Sequence, residues 1–159
     1  MPAKKYPLEP LARVRAGKTD DAKRELAVAI GVREAAAKRV EAAEAERQRG
    51  EAQARAVREA ERRALERGEL TARDLMRVDA WEARAKEEQG QRERALAQAS
   101  AHELEARAKE GAAQGALAQR SAEAGVVEKD RARWSSQERQ KEEAKEEEAG
   151  AEAWRPKAP

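Results

Sequence analysis

His102 and Glu103 open an H-E-x-x-H pattern. On a helix that pattern sets two imidazoles one turn apart to hold zinc, with the glutamate as general base. The fifth position here is Ala106, so the second ligand is missing. A lone histidine at this place reads as a surface or seam residue. Asp20 and Asp21, and the glutamate runs near the C-terminus, could do acid–base work only in a pocket that held two carboxylates apart and shifted their pKa values. The sequence offers no such pocket, and Ser135–Ser136 has no base arranged beside it. Neither the phosphate loop of nucleotide hydrolases nor the glycine-rich dinucleotide fingerprint is present. The expectation is a protein that is not an enzyme, with no catalytic residues, no cofactor and no metal, acting by contact.

Composition says what would position contact residues. The chain has 159 residues, 42% charged and 3% aromatic, with no phenylalanine and no cysteine. Alanine supplies 39 of the apolar residues, and only 24 are larger. A compact globular core of this length needs more. Alanine, glutamate, arginine, lysine and glutamine are strong helix formers, whereas disordered chains favour proline, serine and glycine. Long helices are therefore expected. Without cysteine there is no disulfide and no thiolate metal site. No apolar run approaches the ~20 residues that span a bilayer, so direct membrane insertion is not expected. The opening MPAKKYPLEPLARVR lacks the apolar stretch of a secretory signal, which makes a cytoplasmic location the simplest expectation. The 34 basic and 32 acidic residues nearly cancel, and no long uncompensated basic run suggests nucleic acid as a partner.

Along the chain, residues 1–7 hold two prolines and read as an extended tail. Apolar residues then step by three and four: Leu8, Leu11, Val14, Ala22, Leu26, Ala29, Val32, Ala36, Val40, Ala43, on through Arg47 and Gly50 to Ala54, Val57 and Ala64. A mean step near 3.5 is a coiled-coil seam, here thin and rich in alanine. A second ladder runs Leu75, Val78, Ala85, Leu96, Ala99, Ala106, Ala113, Leu117, Ala124, Val127, Trp134. Its intervening seam positions are polar: Glu82, Gln89, Arg92, Glu103, Glu110, Arg120 and Arg131.

The stretch RGELTARDL, residues 67–75, separates the ladders. Gly68 suits a left-handed helix C-cap. Thr71 followed by Asp74 is a capping box, and Leu70 with Leu75 has the spacing of a hydrophobic staple. These signals predict an all-α fold: an antiparallel two-helix coiled-coil hairpin over 8–148, a long rod turning at 68–71, with a flexible tail over 149–159. At 1.5 Å per residue the helices would run ~90 and ~115 Å. Opposed residues would have numbers summing to about 140 in such a hairpin. That register sets Gly17 level with Gly125, Gly31 with Gly111 and Gly50 with Gly90; such levels could mark close approach or bending, with coincidence as the rival reading.

The remaining features are contact features. Tyr6, Leu8, Leu11 and Val14 cluster beside Arg13 and Arg15, with Trp134 and Trp154 expected at the same end. Leu70, Leu75, Met76 and Trp81 cluster at the turn. Exposed tryptophan and arginine are favoured interface anchors. The first 24 residues carry seven basic and three acidic groups, and residues 138–148 carry three basic and six acidic.

Three stretches resemble a known family: YPLEPLARVRAGKTDDAKRELA (6–27), ELTARDLMRVDAW (69–81) and VVEKDRARWSSQERQKEEAKEEEAGAEAW (126–154). In that order they are similar to the opening helix, the helix–helix turn and the Arg-x-x-Trp, Glu-rich close of the stalk proteins of bacterial type III secretion and flagellar export, the FliJ/YscO family. The resemblance implies a central stalk, at the cytoplasmic face of a secretion apparatus. It implies that the stalk binds the hexameric type III secretion ATPase, links it to the cytoplasmic domain of the export-gate membrane protein, and also escorts secretion chaperones. By position, the ATPase-binding end would be Leu8, Leu11, Arg13, Val14, Arg15 and Trp134. The gate-facing end would be Leu70, Leu75, Met76 and Trp81. Charge and alanine at Gln48 to Glu61 depart from the aromatic surface that a gate contact would use. The alternative expectation is a generic scaffold coiled coil that homodimerises in parallel.

Overall fold

The computed structural model describes residues 4–155. It holds two helices, α1 (Glu9–Glu66) and α2 (Ala72–Ala153), packed together as an all-α helical hairpin with no strand among the described residues.

Each boundary has a local cause. Residues 4–6 are non-helical, and the Glu9 amide closes a turn by donating to the Tyr6 carbonyl at 3.1 Å. The Leu8 carbonyl accepts from Ala12 at 2.9 Å, which makes Leu8 the N-cap. Pro10 sits in the first turn, where its missing N–H leaves no bond unmade. Helix α1 ends in a Schellman motif. The Gly68 amide donates to Leu65 and the Glu69 amide to Ala64, each at 3.0 Å. Gly68 has φ +67°, the left-handed conformation this motif requires.

Helix α2 starts three residues later with the expected capping box. The Asp74 amide donates to the Thr71 hydroxyl at 3.2 Å, and the Thr71 amide and hydroxyl donate back to the Asp74 carboxylate at 2.9 and 2.6 Å. The hydroxyl's bond, followed by the amide's, holds the Asp74 carboxyl below its usual pKa. Helix α2 runs to Ala153, beyond the expected end at 148. Three alanines in residues 149–153 offset Gly150, and the helix stops just before the residue that Pro156 restricts. Residues 1–3 and 156–159 of the expected tails lie outside the described residues.

The chain divides into two compact units, Ala27–Ala112 and a terminal unit of Met1–Leu26 with Ala113–Pro159. In the first, α1 turns Ala29, Ala36, Val40, Ala43, Gly50, Ala54 and Val57 toward α2, which answers with Val78, Trp81, Ala85, Leu96, Ala99 and Ala106. Ala36 and Ala106 are buried. Such small side chains leave room that charged groups fill. Arg33 donates to Glu110 at 2.6 Å, Gln89 to Glu51 at 3.3 Å, and Arg47 reaches Glu44 and Glu51 at 2.8 and 2.6 Å. Arg58 pairs with Glu82 across the helices at 3.4 Å. These cross-helix pairs match the expected register.

In the terminal unit the inward residues of α1 are Ala12, Arg15, Thr19, Ala22 and Leu26. Arg15 donates to the Glu123 carbonyl at 2.8 Å, and Thr19 to the Arg120 carbonyl at 3.2 Å. Tyr6, Ala12 and Val127 form a buried cluster with Trp134 packed against it. Burying one such valine stabilises by on the order of 1.5–3 kcal/mol.

Three seam expectations need correction. Leu11, Val14 and Val32 lie outside the seam and are exposed, and Leu8, though in phase at the very start of the helix, is exposed as well. Counting back from Ala22 by alternating three and four gives Thr19, Arg15 and Ala12, one position off that leucine–valine phase. At the turn, Trp81 is half-buried in the seam while Leu75 and Glu82 are exposed. The level glycines are not points of close approach: a Cβ on Gly17, Gly31, Gly111 or Gly125 would meet nothing within 4 Å. Gly50 is the exception, since a Cβ there would lie 2.5 Å from Nη1 of Arg92.

The caps generate a prediction. Gly68→Ala forces a β-carbon into the left-handed region and should cost ~1–2 kcal/mol. Thr71→Ala should cost ~1 kcal/mol. Urea titrations followed by circular dichroism should show both losses with native helicity retained in water. Because folding depresses the Asp74 pKa, the box stabilises fully above 3.8, the ordinary value, and loses its contribution as pH falls through the folded value. The Thr71→Ala deficit should therefore shrink in acid.

Candidate interaction surfaces

The segment before α1, with the first residue of α1, is tied to α2 by four side-chain contacts. The Tyr6 hydroxyl donates to the Asp130 carboxylate in a short hydrogen bond. The Tyr6 ring lies 5.7 Å from that of Trp134, centre to centre, tilted by 59°. Lys4 pairs with Glu138 at 3.0 Å, and Arg131 with Glu9 at 3.1 Å. Asp130 and Trp134 are four residues apart, so one face of α2 presents both the acceptor and the ring to Tyr6. The bond to Asp130, followed by burial, pushes the Tyr6 pKa up to about 12. Hydrogen bonds from Lys141 and then Lys4 hold the Glu138 carboxyl below its usual range.

This anchoring sorts the expected ATPase-binding residues into two sets. Leu8, Leu11 and Val14 point outward, 45%, 38% and 54% exposed, and share one helix face by their spacing of three. Arg13 extends from a different face of the helix, in a loose 3.7 Å pair with Glu9. Arg15 instead turns inward to the Glu123 carbonyl, and Trp134 packs on Tyr6. Those two hold the fold together rather than present a surface. Sequence reasoning missed the Tyr6–Asp130 bond and the inward places of Ala12 and Arg15. The single tyrosine and the Asp130/Trp134 spacing were the available signals.

In the Ala27–Ala112 unit, Leu75 and Met76 are exposed, and Leu65 joins them as an exposed residue not foreseen. Leu70 and Trp81 are half-buried. An open groove in this unit is lined by Arg58, Arg62, Asp79, Glu82, Lys86 and Gln89, a mixed-charge surface in which Arg58 and Glu82 already neutralise each other. His102 lines a smaller groove with Val32, Arg39 and Glu105. Among the described residues no group of three or more histidine, aspartate or glutamate side chains is placed to hold a metal ion. None of their helices is long and apolar enough to cross a membrane.

Tyr6 is the only tyrosine, so its ionisation can be followed without ambiguity. The raised pKa means that the neutral phenol is favoured by the fold. Its contribution is complete below 10, the ordinary value, and disappears as pH rises through about 12. Tyrosinate absorbance should titrate near that upper value in the native chain. In Asp130→Asn the midpoint should move down toward the ordinary one, and Trp134 emission should change with it.

No protein-family model, curated protein or solved structure matches the chain.

Proposed function

We propose that this hairpin is a coupling stalk of a type III secretion system, whose terminal unit enters the ring of the hexameric secretion ATPase. One observation carries most weight. The first turns of α1 hold three aliphatic side chains and Arg13 outward, on a segment that Tyr6 and Trp134 pin in place. An exposed apolar strip, on a backbone that does not need to reorganise, is what a protein-docking surface requires. The resemblance of residues 6–27, 69–81 and 126–154 to the stalk family supplies the partner.

The mechanism is mechanical. A two-stranded hairpin inside a six-subunit ring cannot touch every subunit equally, so the contact itself makes the subunits inequivalent. The ring then assembles around the stalk and turns over with it. Leu75 and Met76 are the exposed residues available for the export gate, and the charged face over Gln48 to Glu61 is available for chaperones. The location that follows is the cytoplasmic face of the secretion apparatus.

Leu11→Asp combined with Val14→Asp tests this reading. Both side chains are already exposed, so circular dichroism should show unchanged helicity. Binding to the purified ATPase should fall below detection, and stimulation of its hydrolysis should be lost. Wild-type stimulation by the double variant would reject the assignment.

A further inference from the structure

Within the Ala27–Ala112 unit one side of the seam is left open. Val28, Val32, Ala35 and Arg39 follow at steps of four, three and four, so they share a face of α1. Val28 is 67% and Val32 52% exposed. Across from Val32, Ala35 and Arg39, α2 presents His102, Glu105 and Lys109, and the buried Ala36 and Ala106 lie between. By the hairpin register Val32 is level with Lys109, and Arg39 with His102. The hollow between these two lips has a volume of about 280 Å³. That is below the ~300–1,000 Å³ of a small-molecule site, and the hollow is an open groove.

The charges of this groove are unmatched. None of Arg39, His102, Glu105 and Lys109 makes an ion pair among the described residues. Elsewhere in the same unit charged groups in or beside the seam are paired: Arg33 with Glu110, Arg47 with Glu44 and Glu51, Arg58 with Glu82, and Arg107 with Glu103. The balance of the groove is positive. Arg39 on one lip and Lys109 on the other are cations, His102 adds a further nitrogen donor, and Glu105 is the one carboxylate. The two cations differ in level by one heptad, or ~10 Å along the seam.

We infer that this groove takes an acidic amphipathic helix of another protein, laid in as a third helix. Its aliphatic residues cover Val28, Val32 and Ala35. Its flanking carboxylates, one heptad apart on opposite edges, meet Arg39 on the α1 lip and Lys109 on the α2 lip. Recognition of a helix in a groove needs an apolar floor and charged lips on a backbone already ordered, and the hairpin supplies each. A basic helix would meet both cations as like charges and find only Glu105 as a partner. Two copies of this chain joined groove to groove would likewise offer only Glu105 to each set of cations. The inference rests on neither the terminal unit nor the ATPase reading.

Two synthetic helices of equal length serve as probes, each with leucines along one face. One carries glutamates on its flanks, the other lysines in their place. Fluorescence anisotropy of the labelled probes reads binding to the full chain, and circular dichroism checks the helicity of each variant. The wild-type chain should bind the glutamate helix more tightly than the lysine helix, and less tightly as salt rises. Val28→Asp with Val32→Asp should lose the glutamate helix at unchanged helicity, since both side chains are already exposed. Arg39→Glu with Lys109→Glu should reverse the order of the two probes, a gain that no failure to fold can produce. Leu11→Asp with Val14→Asp should bind the glutamate helix as the wild-type chain does, which separates this groove from the terminal strip. The inference is overturned by a wild-type chain that does not prefer the glutamate helix, by either groove variant that keeps that preference, or by its loss in the Leu11 and Val14 variant. A two-chain mass in light scattering that Val32→Asp abolishes would also overturn it, because a second copy would then fill the groove.

Discussion

The constraint on which the structure depends is the narrowness of its seam. With alanine at many inward positions and polar groups at many others, neither helix carries enough apolar surface to be stable by hydrophobic burial alone, and isolated helices gain little from propensity in water. Each must lie against the other in one register, because the larger groups in the seam are polar and need named partners. Arg33 must find Glu110, and Arg15 must find the Glu123 carbonyl. A slip by one residue would turn these groups away from their partners. The Schellman motif at Gly68 and the Thr71–Asp74 box set where one helix stops and the next begins, and so which residues can meet.

Much of this was legible in the residues. Gly68, Thr71 and Asp74 announce a stop and a start, and the structure shows the hydrogen bonds those residue types make. The inward places of Ala36, Val40, Gly50 and Ala106 follow from spacing alone. What misled was the weight given to size. Leu8, Leu11 and Val14 look like core because they are large, yet the seam passes through Ala12, Arg15 and Thr19. In an alanine-rich coiled coil the phase of the small residues outranks the position of the large ones. The level glycines at 17/125 and 31/111 resolve in favour of coincidence. Level placement suggests close contact, but the glycines at 17, 31, 111 and 125 face open space, so their alignment has no packing cause.

That same error is informative about function. Large aliphatic side chains placed out of phase with the seam leave an exposed strip at the first turns of α1, where solubility alone would favour charge. Tyr6, through Asp130 and Trp134, keeps the strip's backbone fixed. The proposed docking role would account for both the exposed aliphatic residues and the ties on the preceding segment. The proposed partner in that role is a ring ATPase.

The most direct test of the hairpin register uses the absence of native cysteine. Val127 is buried beside Ala12, while its neighbour Val126 is exposed. In a chain carrying Ala12→Cys and Val127→Cys, mild oxidation should form a disulfide within one chain rapidly and almost completely. The pair Ala12→Cys and Val126→Cys should form it poorly under the same conditions. Equal cross-linking of the two pairs, or linkage only between chains, would contradict the antiparallel seam.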